Sequence, residues 1–572
     1  MPVRLGISKL AILPLLLLGA CATAGGKPQA GLERNVLGNA PFGAYLAGRV
    51  AGQLNEMNLS AQFYRDALAN DPDNQTLLER SFSASLAEGQ FDQALPLAAK
   101  LAGDATAPSL APLLLVLDDV NKGQYAKALE IAKAMPTTGF NSLVGPLTQA
   151  WILAGLEQYD DALASLKQLE SSASFASFEN FHRALILSRA GRSKDAEAAF
   201  QKTLTLPGGA SPRTLLAYGR FLASVDRGKE AVALYDSYLK ALPDSAQIIA
   251  ARDDILKNRA KPVVASPAAG LSDMFVDTAL ALNRNGTRGA AIIYAQLARF
   301  LVPSSDETLM LLAGLYDSSG QDETAARLYS QVPADSPLHW EAQRNYATVE
   351  YRLGHVDEAA KMLEAMYAEN KNDLTVAITL ADIYRAQNAP AKALEIYNVI
   401  ISGIDDPQEN QWSLFYTRAT TYQQLDMWPE AEADFVEALK LSPDEPVVLN
   451  YLGYSWVDRG VHLDEALKLI QKAVDLRPND GNIVDSLGWA YYKLGRYQDA
   501  VEQLEKAVLL RPDSSEINAH LGDAYWRVGR ILEARFQWSH AIAMGAEGQE
   551  ALILEAKRET KSDGNPFIHD QK

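Results

Sequence analysis

Seven histidines, His182, His339, His355, His462, His520, His540 and His569, are the side chains best suited to ligate a metal or move a proton near neutral pH. No two stand three or four residues apart, the spacing that sets both imidazoles on one helix face for a zinc ion or a His-Glu-x-x-His protease. Each therefore reads as a surface or packing residue. Phosphate chemistry has no better footing. Gly481 and Gly488 stand outside any Gly-x-x-x-x-Gly-Lys-Ser/Thr loop, and no Gly-x-Ser-x-Gly elbow exposes a nucleophilic serine. The paired carboxylates, Asp253-Asp254 between Arg252 and Lys257 and Asp405-Asp406 before Pro407, read as solvated charge rather than as a shared proton. The expectation is a chain that is not an enzyme and uses neither cofactor nor metal.

The one cysteine, Cys21, follows a segment with Arg4 and Lys9, an apolar stretch from Leu10 to Leu18 and no acidic residue, the layout of a secretory signal peptide. The stretch is short for a membrane span. Leu18-Gly19-Ala20-Cys21 resembles the bacterial lipobox, which implies removal of residues 1–20 and attachment of acyl chains to Cys21. An unpaired thiol would otherwise be a liability in an oxidising compartment. Several acyl chains give stable attachment, and Ala22 rather than an Asp after the cysteine implies the outer membrane, facing the periplasm. Residues 21–40, with Gly25-Gly26-Lys27-Pro28-Gln29, read as a tether. Losing residues 1–20 removes two basic and no acidic side chains, so the net charge of −18 becomes −20. Such a surface repels nucleic acid and anionic headgroups, which excludes both as expected ligands.

A chain of 572 residues exceeds what one hydrophobic core can organise. β-branched runs of strand length are scarce, so helix is expected throughout. A period of 34 runs along it. Taking Gly488 as the eighth position of a unit, its equivalents fall at 48, 82, 116, 150, 184 and 219, then at 278, 313, 347, 381, 419, 453, 488 and 522. About twelve residues beyond each, thirteen of fourteen positions hold Ala, including Ala290, Ala466, Ala500 and Ala534, with Ser60 the exception. Two antiparallel helices approach closely only where a small side chain faces the partner, which keeps both positions small. Phe82 and Val116 break that rule, and Ser85, Asp119 and Leu153 depart at the eleventh position, where Tyr491 and Tyr525 stand later. Large residues at the twenty-fourth, among them Tyr235, Tyr397, Phe435 and Trp538, should plug the next unit, and Pro443, Pro478 and Pro512 end the second helix.

Asn479 to Pro512 reads as a nearly complete consensus unit and resembles the tetratricopeptide repeat (TPR), and the resemblance spans roughly five hundred residues. It implies an all-α TPR solenoid of about fourteen helix-turn-helix repeats in two blocks. Residues 41–257 would hold six repeats, partly degenerate, ending in a helix from Ala246 to Lys257. Residues 258–270, containing Arg-Ala-Lys-Pro-Val-Val-Ala-Ser-Pro-Ala-Ala-Gly, read as a linker or hinge, and residues 271–548 would hold eight repeats. Residues 549–572 would form a capping helix and a tail expected to be disordered after Lys561.

What such an array offers is a long concave face built from the first helix of each repeat. The resemblance places Asn450, Tyr454, Asp458, Asp485, Trp489, Tyr492, Lys493, Asp523, Trp526 and Arg527 on that face as a protein-binding groove. Aromatic and Arg side chains commonly carry binding energy; the alternative is that Trp489 and Trp526 pack between helices. The phrases Leu449-Asn450-Tyr451-Leu452-Gly453-Tyr454, Asn482 to Trp489 and Ala519-His520-Leu521-Gly522-Asp523 resemble the C-terminal repeats of proteobacterial outer-membrane TPR lipoproteins, among them the binding partner of the periplasmic carboxyl-terminal processing protease. That implies an adaptor delivering peptidoglycan hydrolases to the protease, with one block holding each partner and the linker letting them swing together. A scaffold for an exopolysaccharide or outer-membrane export machine is the alternative. A peptidoglycan enzyme is disfavoured, because no catalytic constellation is present.

Overall fold

A computed structural model describes residues 41–561 except 54–55, 103–109, 137–140, 171–172 and 546–547. Cys21, the signal and tether expected at 1–40, and the tail after Lys561 lie outside the described residues. Among the described residues there is no strand, and no helix is long and apolar enough to cross a membrane. Successive helices form fourteen helix-turn-helix units, from Pro41–Gln53 with Met57–Asn70 to Ser515–Arg527 with Ile531–Ala543. Ala246–Leu256 and Gly548–Glu559 stand alone after the sixth and the last unit, where capping helices were expected. The fold is an all-α solenoid of tetratricopeptide-like repeats.

The local sequence sets each helix boundary. Several first helices open on side-chain caps: Asp480 accepts from the backbone of Asn482 and Ile483 at 3.1 and 3.4 Å, and Ser514 accepts from that of Ile517 at 3.3 Å. They close on a left-handed residue. Gly495 has a φ of +75°, which lets Arg496 N–H reach back to the Tyr491 carbonyl at 2.9 Å and turns the chain into the second helix.

Small residues then let the two helices meet. A Cβ added at Gly488 would stand 2.6 Å from Leu504, one at Gly453 2.7 Å from Ile470, and one at Gly522 2.5 Å from Trp538. The facing alanines, Ala466, Ala500 and Ala534, are fully buried. The pattern slips once: Ala290 is partly exposed while Ala291 is fully buried, so the register of that unit lies one residue later than the spacing predicts. The large side chains expected as plugs, Tyr235, Tyr397, Phe435 and Trp538, are all fully buried.

Among the described residues the chain forms two compact units, which divide at Val349 and Glu350, whereas the expected linker was 258–270. The physical reason is that residues beyond 266 belong to the packing of unit 1. Ser266 caps a helix that begins at Pro267, and Gly270 is buried against the Trp151 ring. Helix Pro267–Arg284 lies on the first helices Asn141–Gly155 and Ala176–Arg189, and Arg288–Leu301 lies on Gln75–Ala87 and Leu110–Asn121. Unit 2 runs through its own helix pairs to the capping helix Gly548–Glu559, which packs on Ile531–Ala543.

The close approach gives a direct test. Gly522→Val drives methyl groups into Trp538 and is expected to destabilise unit 2 by about 1–3 kcal/mol. Gly314→Ala meets nothing nearer than the Tyr329 hydroxyl at 3.9 Å and is expected to be neutral or stabilising. Denaturant midpoints of the two variants measure both.

Candidate protein-binding face

The expected groove residues all lie on three consecutive first helices of unit 2: Pro446–Arg459, Gly481–Lys493 and Ser515–Arg527. These helices pack side by side, so a residue on one meets the residue about one repeat further on. Asp485 faces His520, 35 positions away, with both carboxylate oxygens 3.0 Å from Nδ1. Arg527 Nε donates to the Tyr492 hydroxyl at 3.2 Å, again 35 positions away.

Between these two links stands a column of rings. The Trp489 ring is parallel to that of His520 at 4.0 Å and to that of Tyr492 at 4.7 Å. Tyr497 meets Tyr492 edge-on at 5.4 Å. Two cations rim the column, Lys493 Nζ 5.3 Å above Trp489 and the Arg527 guanidinium 5.8 Å from Tyr492 and 5.4 Å from Tyr497. Lys493, Arg527 and Asp458 are exposed, while Trp489, Tyr492 and Tyr454 are half-buried. Burial, together with Glu516, Asp485 and Asp458, pushes the Tyr454 phenol well up, and burial with Asp523 pushes Tyr492 up to about 12, so both hydroxyls stay protonated.

Not every expected residue faces outward. Asp485 is spent on His520, and Asp523 is buried, accepting from Trp538 Nε1 at 2.9 Å and pairing with Lys557 Nζ of the capping helix at 3.0 Å. Trp526 is half-buried and packs beside Trp538 with ring centroids 5.5 Å apart. Asn450 stands apart from the column, and its side-chain oxygen is buried with no hydrogen-bond partner. His520 is the member that spacing arguments missed, since its nearest chemical partner lies a whole repeat away and no short motif carries that separation.

Among the described residues one trio has metal-ligating types close together: buried Glu350 with exposed His355 and Glu358, whose ligand atoms lie within 4.8 Å of one another. His355 is hydrogen-bonded through Nδ1 to Glu350, which ties the end of one helix to the start of the next. That bond already accounts for the arrangement.

Family comparisons agree with this geometry. Tetratricopeptide-repeat models match residues 181–246, 310–374 and 416–481, residues 350–414, and residues 488–529. The chain carries tetratricopeptide repeats. A TPR repeat-containing protein of Pseudomonas aeruginosa is 32% identical over 183 residues, which are 32% of this chain and 30% of that protein. Human protein O-mannosyl-transferase is 24% identical over 179 residues, 30% of this chain and 20% of its own length. The chain thus spans less than a third of either relative. Among solved structures, a tetratricopeptide repeat protein from Parabacteroides merdae is 19% identical, covering 44% of this chain and 97% of its own, with a TM-score of 0.36. The Cut9-Hcn1 hetero-tetramer is 14% identical, covering 90% and 96%, with a TM-score of 0.37. TPR arrays generally bind proteins.

His520 links this face to pH. Burial alone lowers an imidazole, but Asp485, with Glu516 and Asp523, outweighs it and raises His520 above its usual 6.5. The stabilisation is therefore fully present below 6.5 and is lost as pH rises through the higher folded value. Unit 2 is expected to unfold at higher denaturant at pH 6 than at pH 8, and His520→Gln is expected to flatten that difference. An unchanged slope in the variant would exclude the Asp485 pair as its source.

Proposed function

We propose that the protein is a membrane-anchored adaptor of the periplasm, held to the outer membrane by acyl chains on Cys21, which brings peptidoglycan hydrolases to a carboxyl-terminal processing protease. The observation that carries this reading is the column Tyr492–Trp489–His520 with Lys493 and Arg527 at its rim, set on successive first helices of unit 2. Rings locked by one another lose little rotamer freedom on binding, and exposed cations beside them attract acidic side chains of a partner. The lipobox-like Leu18-Gly19-Ala20-Cys21 and the likeness of the last repeats to outer-membrane TPR lipoproteins support the compartment and the partner class.

The adaptor works by concentration. Tethering protease and client to one anchored chain turns their encounter into an intramolecular event, whose effective concentration is in the millimolar range for short tethers. This action needs only that both partners be held on one chain; it does not depend on a swing between blocks.

The test is a pull-down from crosslinked envelopes with the mature protein as bait, beside a variant carrying Lys493→Glu and Arg527→Glu. Both side chains are exposed, so the variant keeps the core intact. Recovery of a periplasmic serine protease together with cell-wall hydrolases, reduced several-fold in the variant, is the expected result. Recovery of a polysaccharide synthase or export components in their place would move the protein to the alternative scaffold class.

A further inference from the structure

The first helices of a repeat array ordinarily leave room for a ligand. In unit 1 that room is filled by the chain itself, through the antiparallel helices Pro267–Arg284 and Arg288–Leu301. Three kinds of contact seat this hairpin. The first is steric: Gly270 lies so close to Trp151 that an added Cβ would stand 2.3 Å from the ring, and Trp151 is itself fully buried, donating from Nε1 to His182 Nδ1 at 3.1 Å. The second is polar. The Ala87 carbonyl, left without a helical partner at the end of Gln75–Ala87, accepts from Gln296 Nε2 at 3.2 Å and from the Tyr316 hydroxyl at 2.5 Å. Asn121 donates to the Phe300 carbonyl at 3.0 Å.

The third is ionic. Arg213, on the first helix Pro212–Ser224, binds Asp273 and Asp277 of the hairpin at 2.8 Å each, and also Glu307 of the following helix. His182 Nε2 stands 4.0 Å from Asp277. Burial, with the charge of Arg213, lowers His182 to about 3, so it is neutral and three carboxylates face one guanidinium. A cavity of about 280 Å³ lies beside the cluster and is lined by Arg213, Asp273 and Glu307 together with Leu216, Arg220 and Ile255.

We infer that hairpin 267–301 is a built-in ligand of unit 1, seated on the first helices of the second to fifth repeats and clasped by Arg213, so that this inner face is closed to outside partners. The clasp has a definite response to acid. Burial, opposed by Arg213 and reinforced by Asp273 and Glu307, pushes Asp277 up to about 6 from an ordinary 3.8, and Asp273 is raised as well, with Arg220 opposing. A raised carboxyl stabilises below its ordinary value, and that contribution is lost as pH climbs through about 6. The hairpin is therefore held more tightly at pH 5 than at pH 8.

Hydrogen exchange on the whole mature protein, corrected for intrinsic rates, tests this. Gly270→Leu is expected to speed exchange several-fold in 267–301 and in the facing first helices, while the second helices at 91–101, 125–134, 159–166 and 193–205 stay protected. The same variant should capture a labelled synthetic peptide of residues 266–302 that the parent protein refuses. Loss of protection across all of 41–256, or no capture, overturns the inference by making the hairpin ordinary core. Asp273→Asn combined with Asp277→Asn, which changes charge and hardly shape, is expected to abolish the difference in hairpin exchange between pH 5 and pH 8; a difference that persists removes the clasp.

Discussion

Where Gly488 meets Leu504, the backbone of one helix lies against the side chain of the next with no room for a methyl group. Repeated along the chain, that contact fixes the distance between paired helices, and the distance fixes how far each large side chain can reach. Trp538 and Tyr235 are fully buried against Gly522 and Gly219, where an added Cβ would stand 2.5 and 2.3 Å from the ring. A ring of that kind removes 150–250 Å² from water, which makes it the main apolar contribution of its repeat. The small and the large position are thus one device, and neither works without the other.

That device was legible because it is local. Asp480, Gly488, Gly495 and Ala500 each act within one repeat, so residues 446–544 give up their helices, caps and turns to a spacing argument. The return of hairpin 267–301 was not legible, because nothing within one repeat announces a contact made some two hundred residues away, as between Gln296 and Ala87. One sign was present. Leu110–Asn121 and Asn141–Gly155 are apolar nearly all round, and a helix of that composition is covered on more than one side. Phe82, Val116 and Leu153 read as degeneracy of the repeat, but all three are buried, the first two completely. In the candidate face the same limit applied: Trp489 and Tyr492 could be placed from the repeat register, while the pairing of Asp485 with His520 and of Asp523 with Lys557 needed the neighbouring helices in place.

Those buried charges carry their own lesson. Asp485 with His520 and Asp523 with Lys557 join residues 35 and 34 positions apart, one repeat length, while Arg418 grips Asp434 within a repeat at 2.7 and 2.8 Å. Desolvating two charges costs about as much as their attraction returns, so such pairs contribute little net stability. What they do enforce is register. Shifting one helix by a residue against its neighbour would strand a buried charge, which costs about 3–5 kcal/mol, whereas a purely apolar seam of Leu and Ala would tolerate the slip far more readily. A solenoid, whose repeats resemble one another and could pair out of step, needs that penalty more than a globular domain does.

The two units use their first helices in opposite ways, and the side chains show why. A face that meets water must be polar or set cations over its rings, as Lys493 and Arg527 lie over Trp489 and Tyr492. A face that is filled can bury large rings such as Trp151, provided that its polar atoms are paired, as Trp151 Nε1 is with His182. Without the hairpin, unit 1 would bare Trp151 and its apolar neighbours, the kind of contiguous patch that soluble proteins rarely leave uncovered. An outside partner could take that place only by bringing the same features: a small residue opposite Trp151, apolar side chains along two antiparallel helices, and carboxylates aimed at Arg213. Few sequences combine them, whereas the cation-rimmed rings of unit 2 ask only for apolar and acidic side chains within reach. On the reading proposed above, recognition of other proteins would fall to unit 2, because the inner face of unit 1 is occupied by its own chain.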